Sequence, residues 1–167
     1  MNSLIGLLLL SILAMADVIH SSSFSSLSSS FLDPQNAARA RVGVAPLVWD
    51  DRLAAFALAW ANSRRIFGAC SLQHSRGPYG ENIFWGSGGA GRSWNPSDAV
   101  ESWMSERRWY DYGTNSCLGG RGACGHYTQV VSRFSRRVGC ARVQCGRGDV
   151  FMACDYFPPG NNGQRPF

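Results

Sequence analysis

Two histidines and two glutamates are the side chains of this sequence best suited to bind a ligand or to catalyse a reaction. His126 lies in the stretch Gly125–Val131, beside an aromatic ring, a hydroxyl and an amide, and this stretch ends in two valines that favour burial. His74, Glu81 and Glu106 precede it in the chain. Imidazole nitrogen and carboxylate oxygen are common ligands of zinc-like divalent ions. They also pair stably without a metal, so the residue types alone leave both roles open.

Hydrolysis is the enzymatic use of such a set, with Glu106 or a histidine acting as the base toward a metal-bound water. The sequence contains neither Gly-x-Ser-x-Gly nor His-Glu-x-x-His, the motifs of common serine and zinc hydrolases. Ser75 beside His74 fits a loop hydroxyl as well as a nucleophile. We therefore expect a binding protein and not an enzyme, with metal-dependent hydrolysis as the alternative.

The first 16 residues have the composition of a secretory signal peptide. They carry no charged side chain, contain an apolar run from Leu4 to Leu13 and end in the small-x-small sequence Ala14–Ala16. The apolar run is too short for a permanent membrane span. In an oxidising compartment the six cysteines are expected to form three disulfides. These features predict a secreted, extracellular protein that is not an integral membrane protein.

The charge of the chain narrows the classes of partner. The formal net charge is +5, the pI is about 9.1, and every positive side chain is an arginine. This charge favours acidic partners such as membranes, phosphate or anionic cell-wall polymer, and it does not select one of them. The arginines are scattered and form no dense block, so no nucleic-acid partner is expected. A length of 167 residues indicates one domain, which we expect to be a monomer.

The pattern divides the chain into the leader over residues 1–16, a flexible serine-rich tail over residues 17–30 and a single domain over residues 31–167. The tail has too few apolar residues to fold. Residues 70–94 have the glycine and serine content of turns and loops. Three helices are expected where cap residues precede helical signals: from Asp33-Pro34 to Gly43, from Asp50 or Asp51 to about Ile66, and from Asn95-Pro96 to about Arg108.

Two strands are expected in the last third of the chain, over Val138–Cys145 and Asp149–Tyr156, joined by a glycine-rich turn. If the hairpin closes at that turn, Cys140 and Cys154 lie at nearly equal distances from it and can face each other. Cys145 points to the opposite face, because side chains alternate along a strand. The spacing therefore favours a Cys140–Cys154 disulfide.

Five motifs of the sequence belong together: Gln73–Ser75, Gly80–Ile83, the Trp103-x-x-Glu106 pattern, Gly125–Val131 and the ending Gly163–Phe167. Together they resemble the plant pathogenesis-related protein 1 family, which belongs to the superfamily of cysteine-rich secretory proteins, antigen 5 and pathogenesis-related 1 proteins. The likeness runs from about residue 31 to residue 167 and covers the order of all six cysteines. It implies an α+β fold, a three-layer α-β-α sandwich with a central antiparallel sheet. The disulfides that it implies are Cys70–Cys145, Cys117–Cys124 and Cys140–Cys154.

The resemblance also implies a cleft that contains His74, Glu81, Glu106 and His126. We expect this tetrad either to hold a zinc-like divalent ion, the one cofactor expected, or to form histidine–glutamate pairs without a metal. Helical periodicity does not choose between Glu101 and Glu106, since both lie at similar angles from the apolar stripe of their helix. The Trp-x-x-Glu pattern of the family selects Glu106.

Lipid capture is the activity that the resemblance implies for the aromatic loop over residues 109–124. Trp109, Tyr110 and Tyr112 would offer flat apolar contacts to a sterol, although the same side chains could instead pack beneath the loop. The expected function is that of an apoplastic plant defence protein with antifungal or anti-oomycete action, whose partner is a sterol or other membrane lipid of a pathogen. The alternatives are a metal-dependent hydrolase and the precursor of a C-terminal defence-signalling peptide.

Three features depart from the family pattern. Ser132 stands where members commonly carry tryptophan, and Asp155 places a carboxylate where an asparagine amide is usual. The tail Pro158–Phe167 is one residue shorter than usual and ends in phenylalanine instead of tyrosine. These differences bear on packing beside the cleft, on the local charge and on peptide release, respectively.

Overall fold

Strands β5 (Arg137–Gln144) and β6 (Val150–Phe157) form the central hairpin of a four-stranded sheet. The computed structural model describes residues 27–120 and 122–167, and its hairpin agrees with the predicted strands to within one residue at each end. Cys140 and Cys154 are direct cross-strand partners joined by a disulfide, which confirms the predicted pairing. The predicted signal peptide and most of the serine-rich tail lie outside the described residues.

Strands β1 (Val48–Trp49) and β2 (Gly80–Gly86) complete the sheet, whose order is β1-β5-β6-β2. All pairings are antiparallel except that of the short β1 with β5. The expected antiparallel sheet is therefore confirmed, whereas the assignment of residues 70–94 to turns and loops missed β2. Ile83 and Phe84 are both buried, so β2 lacks the alternation that marks a half-exposed strand.

Helices cover both faces of the sheet. Helix α2 (Asp51–Phe67) covers one face, and α1 (residues 27–41), α3 (Pro96–Ser105) and α4 (Gly125–Val130) cover the other. Alternate residues of β6 enter the two cores: Val150, Met152, Cys154 and Tyr156 on the side of α1, α3 and α4, and Phe151 and Ala153 on the side of α2. This arrangement confirms the three-layer sandwich. Within the described ranges, no helix combines the length and apolarity needed to cross a bilayer.

Helix α1 is already formed at residue 27, so it does not begin at Asp33-Pro34 as predicted. Leu27 packs against the core, and Phe31, one turn later, is fully buried. Burial of this apolar stripe outweighs the backbone hydrogen bond that a proline removes inside a helix. Residues 27–30 therefore belong to the folded region and not to the serine-rich tail.

Helix α2 begins where the sequence predicts. The side chain of Asp50 accepts hydrogen bonds from the N–H groups of Arg52 and Leu53, as an N-cap residue does. The helix lies so close to β5 that a Cβ on Gly139 would stand 2.1 Å from the backbone nitrogen of Ala54. Glycine at position 139 therefore permits the contact between this helix and the sheet.

Helix α3 also begins as predicted, and the side chain of Asp98 accepts the N–H of Asn95 at its start. It ends three residues before the predicted end and continues as a 3-10 turn. A small hairpin then takes the place of an irregular loop. The 3-10 turn is Glu106–Trp109. The hairpin consists of the paired strands β3 (Tyr110–Asp111) and β4 (Ser116–Cys117).

The three disulfides have the connectivity that the family resemblance implies. Cys70–Cys145 joins the segment after α2 to the turn between β5 and β6, and Cys117–Cys124 closes the loop before α4. Cys140–Cys154 links the two central strands. No cysteine among the described residues is free.

A buried arginine joins α1 to the segments after α1 and α4. The guanidinium of Arg39 donates hydrogen bonds to the carbonyls of Ala45, Val130, Ser132 and Ser135. Burial lowers the pKa of Arg39 to about 10, so the side chain remains charged at neutral pH. One side chain thus donates to four backbone carbonyls, of which that of Ser132 also accepts the N–H of Ser135.

Candidate functional site

The four residues of the predicted tetrad come from four different segments. His74 lies in the loop between α2 and β2, and Glu81 lies on β2. Glu106 begins the 3-10 turn after α3, and His126 lies in the first turn of α4. Trp103 fixes α3 to the sheet, because its indole N–H donates to a backbone carbonyl of β2 at 3.0 Å. This hydrogen bond fixes the position of the segment that carries Glu106 relative to the strand that carries Glu81.

His74 and Glu81 form the first pair. Nδ1 of His74 lies 2.6 Å from Oε1 of Glu81, which also accepts the N–H of Ser75 at 2.9 Å. The hydrogen bond to Glu81 raises the pKa of His74 above its ordinary value, although partial burial opposes this shift. Burial alone would raise the pKa of Glu81, but hydrogen bonds from His74 and Ser75 hold that pKa below its ordinary value. The pair therefore favours an imidazolium beside a carboxylate, with His74 toward solvent and Glu81 almost fully buried.

His126 and Glu106 form the second pair, with Nδ1 of His126 2.6 Å from Oε1 of Glu106. The other oxygen of Glu106 accepts the backbone N–H groups of His126 and Tyr127 at 2.9 and 3.4 Å. The ring of Trp103 lies nearly parallel to the imidazole, with the centroids 6.2 Å apart. The glutamate therefore fixes both the start of α4 and the orientation of its histidine.

The structure places Glu106, and not Glu101, beside a histidine. Glu101 is an exposed residue of α3 that lines a groove against Ala37 and Arg41 of α1. The family pattern therefore chose the glutamate that pairs with His126, where helical periodicity had left two candidates.

The tetrad forms two separate pairs in this conformation. Over residues 27–120 and 122–167, no three His, Cys, Asp or Glu side chains come close enough together to hold a metal ion. In both pairs the carboxylate contacts Nδ1, which leaves Nε2 as the ring nitrogen for any other ligand. A carboxylate orients a histidine in this way with or without a metal. Nε2 of each histidine is thus the atom that could bind a metal, and metal binding by the tetrad stays a prediction.

Asp155 adds a titratable group that the sequence identified only as a departure from the family pattern. It is fully buried and lies directly opposite Glu81 in the pairing of β2 with β6. Within the described residues, neither oxygen of Asp155 has a hydrogen-bond partner, and Oε2 of Glu81 has none either. Burial, assisted by the negative charge of Glu81, raises the pKa of Asp155 to about 8. The protonated acid is therefore its main form at neutral pH.

Ser132, the other departure near the cleft, lies in a filled space. It is buried, and a Cβ on Gly160 would lie 2.8 Å from the Cβ of Ser132. The N–H of Gly160 donates to the side chain of Gln129 at 3.0 Å. The segment after β6 therefore occupies the space beside this serine, and a larger side chain would have to displace it.

The aromatic loop presents only part of its predicted lipid-binding set to solvent. Trp109 and Tyr112 are partly exposed, whereas Tyr110 packs inward against Tyr127 with ring centroids 5.9 Å apart. Leu118 is exposed as well, and its N–H donates to the carbonyl of Trp109. The exposed apolar surface of the loop therefore consists of Trp109, Tyr112 and Leu118, and the sequence analysis did not identify the leucine.

A cavity of about 620 Å³ opens beside this loop. Its apolar walls include Tyr110, Pro166 and both cysteines of the Cys117–Cys124 disulfide, and its polar lining residues are Asn115, Ser116, Thr128, Asn161 and Gln164. The volume lies in the range that is usual for small-molecule sites. Of the three predicted aromatic residues, Tyr110 thus lines the cavity, whereas Trp109 and Tyr112 are its near neighbours in the sequence.

The C-terminal segment packs on the same loop. The ring of Phe167 stacks on that of Tyr112 with centroids 5.1 Å apart, and the hydroxyl of Tyr112 donates to the carbonyl of Phe167. The guanidinium of Arg165 donates to the carbonyls of Tyr112 and Gly113. The segment therefore forms one wall of the cavity and restrains Tyr112, and its release as a peptide stays a prediction.

Comparisons with known proteins agree on one family. The model of the cysteine-rich secretory protein family, CAP, matches residues 32–156. The chain is 51% identical to pathogenesis-related protein PRMS of Zea mays, over 99% of this chain and 98% of that protein. It is 52% identical to the basic form of pathogenesis-related protein 1 of Nicotiana tabacum, over 91% and 82% of the two chains.

Solved structures show the same fold. Venom allergen-like protein 4 of Schistosoma mansoni superposes with a TM-score of 0.62 and 22% identity, covering 82% of this chain and 90% of that one. NaASP2 with Zn2+ gives a TM-score of 0.62 and 23% identity, covering 81% and 80%. At these identities the likeness is one of fold.

Proposed function

This chain belongs to the cysteine-rich secretory protein family, and we propose that it is a secreted plant defence protein that binds sterols or related membrane lipids of a pathogen. Its relatives in Zea mays and Nicotiana tabacum are pathogenesis-related proteins and align with it over most of their length. Three disulfides suit an oxidising, extracellular compartment. Both observations support a defence protein that works outside the cell.

The cavity beside the aromatic loop carries the lipid-binding proposal. A sterol is a flat, rigid and almost wholly apolar molecule with one hydroxyl, so it suits a pocket that combines apolar contact area with polar groups to bind that hydroxyl. Tyr110, Pro166 and the Cys117–Cys124 disulfide supply the apolar part of the wall. The polar lining residues Asn115, Ser116, Thr128, Asn161 and Gln164 supply groups that could bind the sterol hydroxyl. Trp109 and Leu118 are exposed at the base of the same hairpin, where the N–H of Leu118 donates to the carbonyl of Trp109, and we expect them to contact a ligand as it enters.

Binding alone accounts for an antimicrobial effect. Removal of sterols weakens the membrane of an organism that depends on them, and this requires neither a nucleophile nor a base. In this proposal the His74–Glu81 and His126–Glu106 pairs hold the cleft and do not catalyse a reaction. Growth inhibition that added sterol relieves is the expected result with a sterol-dependent fungus or oomycete.

Sterol binding by the purified, oxidised protein tests the proposal. We expect saturable binding that the double substitution Trp109→Ala and Leu118→Ser weakens by about tenfold, because each removes apolar contact area. Trp85→Ala is the matched control, since Trp85 is 41% exposed and Trp109 is 42% exposed. Equal binding by all three proteins, or none by the wild type, would contradict the proposal.

Metal binding by the tetrad is tested separately, by calorimetry with zinc on the wild type and on His126→Ala. The prediction holds if the wild type gives saturable heat that the variant lacks. Negligible, identical heat from both proteins would refute it and leave two metal-free His–Glu pairs.

A further inference from the structure

Three large apolar side chains stand exposed within seven residues at the end of α2. Phe67 is 86% exposed, and Ile66 and Leu72 are each more than half exposed. Phe67 is the most exposed large hydrophobic residue of the described chain. Single exposed apolar residues are ordinary on a protein surface, but a cluster marks an interaction site.

Hydrogen bonds hold this exposed segment in place. The guanidinium of Arg64 donates to the hydroxyl of Ser71 at 2.6 Å, and the indole N–H of Trp60 donates to the carbonyl of Gln73 at 3.0 Å. Leu72 therefore lies between two residues that are fixed to α2 and still faces solvent. The exposure is thus a property of the folded segment.

Basic side chains accompany the apolar cluster. Arg65 is exposed beside it, and residues 60–80 contain three arginines and no acidic residue. The Cys70–Cys145 disulfide brings the turn that carries the exposed Arg147 to the same end of the molecule. Asp149 follows in that turn, and its carboxylate accepts a backbone N–H. The region around the cluster is therefore positively charged.

We propose that the α2 knob, consisting of Arg65, Ile66, Phe67 and Leu72, docks on the surface of an anionic lipid bilayer. Apolar side chains rimmed by arginines characterise protein segments that lie in a membrane interface, where the apolar groups enter the acyl boundary and the cations attract anionic headgroups. The positive charge of the region is complementary to an anionic bilayer surface, and a neutral bilayer would not attract it in this way. Docking does not rest on sterol binding, because α2 covers the face of the sheet opposite the core against which Tyr110 packs.

Sedimentation with sterol-free vesicles tests this proposal independently of the sterol site. We expect the wild type to bind vesicles of equal parts phosphatidylcholine and phosphatidylserine, to bind phosphatidylcholine alone about tenfold less, and to lose binding as salt is raised. Phe67→Ser and Arg65→Glu should each weaken binding by about tenfold. Val48→Ser and Arg41→Glu change an exposed apolar and an exposed basic residue elsewhere and should bind as the wild type does.

Three outcomes would overturn the proposal. They are equal binding by Phe67→Ser and the wild type, equal binding of the wild type to neutral and anionic vesicles, and failure of the wild type to bind either. A dimer that Phe67→Ser dissociates, in a protein that binds no vesicle, would assign the knob to a contact between two copies. Because Phe67 contributes little to the core, unchanged thermal melting of its variant shows that any loss of binding is local.

Discussion

Asp155 and Glu81 face each other across the pairing of β2 with β6, and three of their four carboxyl oxygens lack a hydrogen-bond partner in the described chain. Side chains that face each other across a sheet have Cβ atoms about 4.5 to 5.5 Å apart. Two carboxylates at that separation in a buried site cannot both ionise without a large cost. Glu81 keeps its charge because His74 and Ser75 donate to it, so Asp155 keeps the proton.

We expect Asp155→Asn to stabilise the protein at pH 7 by roughly 1 to 4 kcal/mol, since a pKa shift of one unit corresponds to about 1.4 kcal/mol. The pKa of Asp155 rises from 3.8 to about 8 on folding, so the unfolded chain loses this proton first. The stability of the wild type should therefore fall between about pH 4 and pH 8, and the variant should lack this fall. Urea unfolding across that range measures it, with Asp33→Asn at an exposed site as the control. Parallel curves for wild type and Asp155→Asn would contradict the prediction.

The His74–Glu81 pair makes a spectroscopic prediction. The pKa of His74 should lie above 6.5 in the wild type and fall in Glu81→Gln, because the neutral amide no longer favours the imidazolium. The stability that the raised pKa of His74 contributes is fully present below its unfolded pKa and is lost as the pH rises through the folded value. NMR titration of the imidazole measures this, and Glu101→Gln should leave it unchanged. A His74 pKa that Glu81→Gln does not lower would refute the prediction.

Arg39→Ala should destabilise the protein by about 3 to 5 kcal/mol, because it leaves the buried carbonyls of Val130 and Ser135 without this donor. Arg41→Ala removes an exposed arginine of the same helix and should change the free energy of unfolding by less than about 0.5 kcal/mol. Denaturant unfolding of the two variants gives the comparison. Similar losses in both would show that the buried hydrogen bonds contribute little.

Removal of Cys70–Cys145 should cost more stability than removal of Cys117–Cys124. The sequence separations are 75 and 7 residues, and the longer loop gains more conformational freedom when its bridge is lost. Chain entropy alone predicts losses of about 4.5 and about 2.4 kcal/mol. Paired Cys→Ala variants, unfolded under oxidising conditions, provide the test. A larger loss for the short loop would point to native contacts and not to chain entropy.

Local signals in the sequence were sufficient for the caps of α2 and α3 and for the β5–β6 hairpin. A cap or a tight turn is decided by residues that are neighbours in the chain, as Asp50 and the turn after Cys145 show. The start of α1 depends instead on the burial of Leu27 and Phe31 against distant strands. Strand β2 was not predicted because three successive residues, Asn82, Ile83 and Phe84, are buried, which removes the alternation of exposed and buried side chains there.

In the candidate site, too, the features that depend on contacts between distant residues were the ones that the sequence did not predict. Glu106 was selected by a family pattern, and its contact with His126 joins residues from two helices. The opposition of Asp155 and Glu81 could not be predicted, because it requires the register of β2, a strand that the sequence did not reveal. The exposed cluster at Phe67 was not predicted either. The helical pattern indicates where α2 ends, but it does not indicate that no other segment of the described chain covers this end.

Two of the disulfides overlap along the chain, since Cys70–Cys145 and Cys140–Cys154 together span every peptide bond from residue 70 to residue 154. A protease that cleaves any one of these bonds therefore divides the polypeptide but not the molecule. The exposed residues 71–74 offer such a cleavage point. A protein nicked there would run as one species without reductant and as two with it, and its layers would stay joined after the first cut.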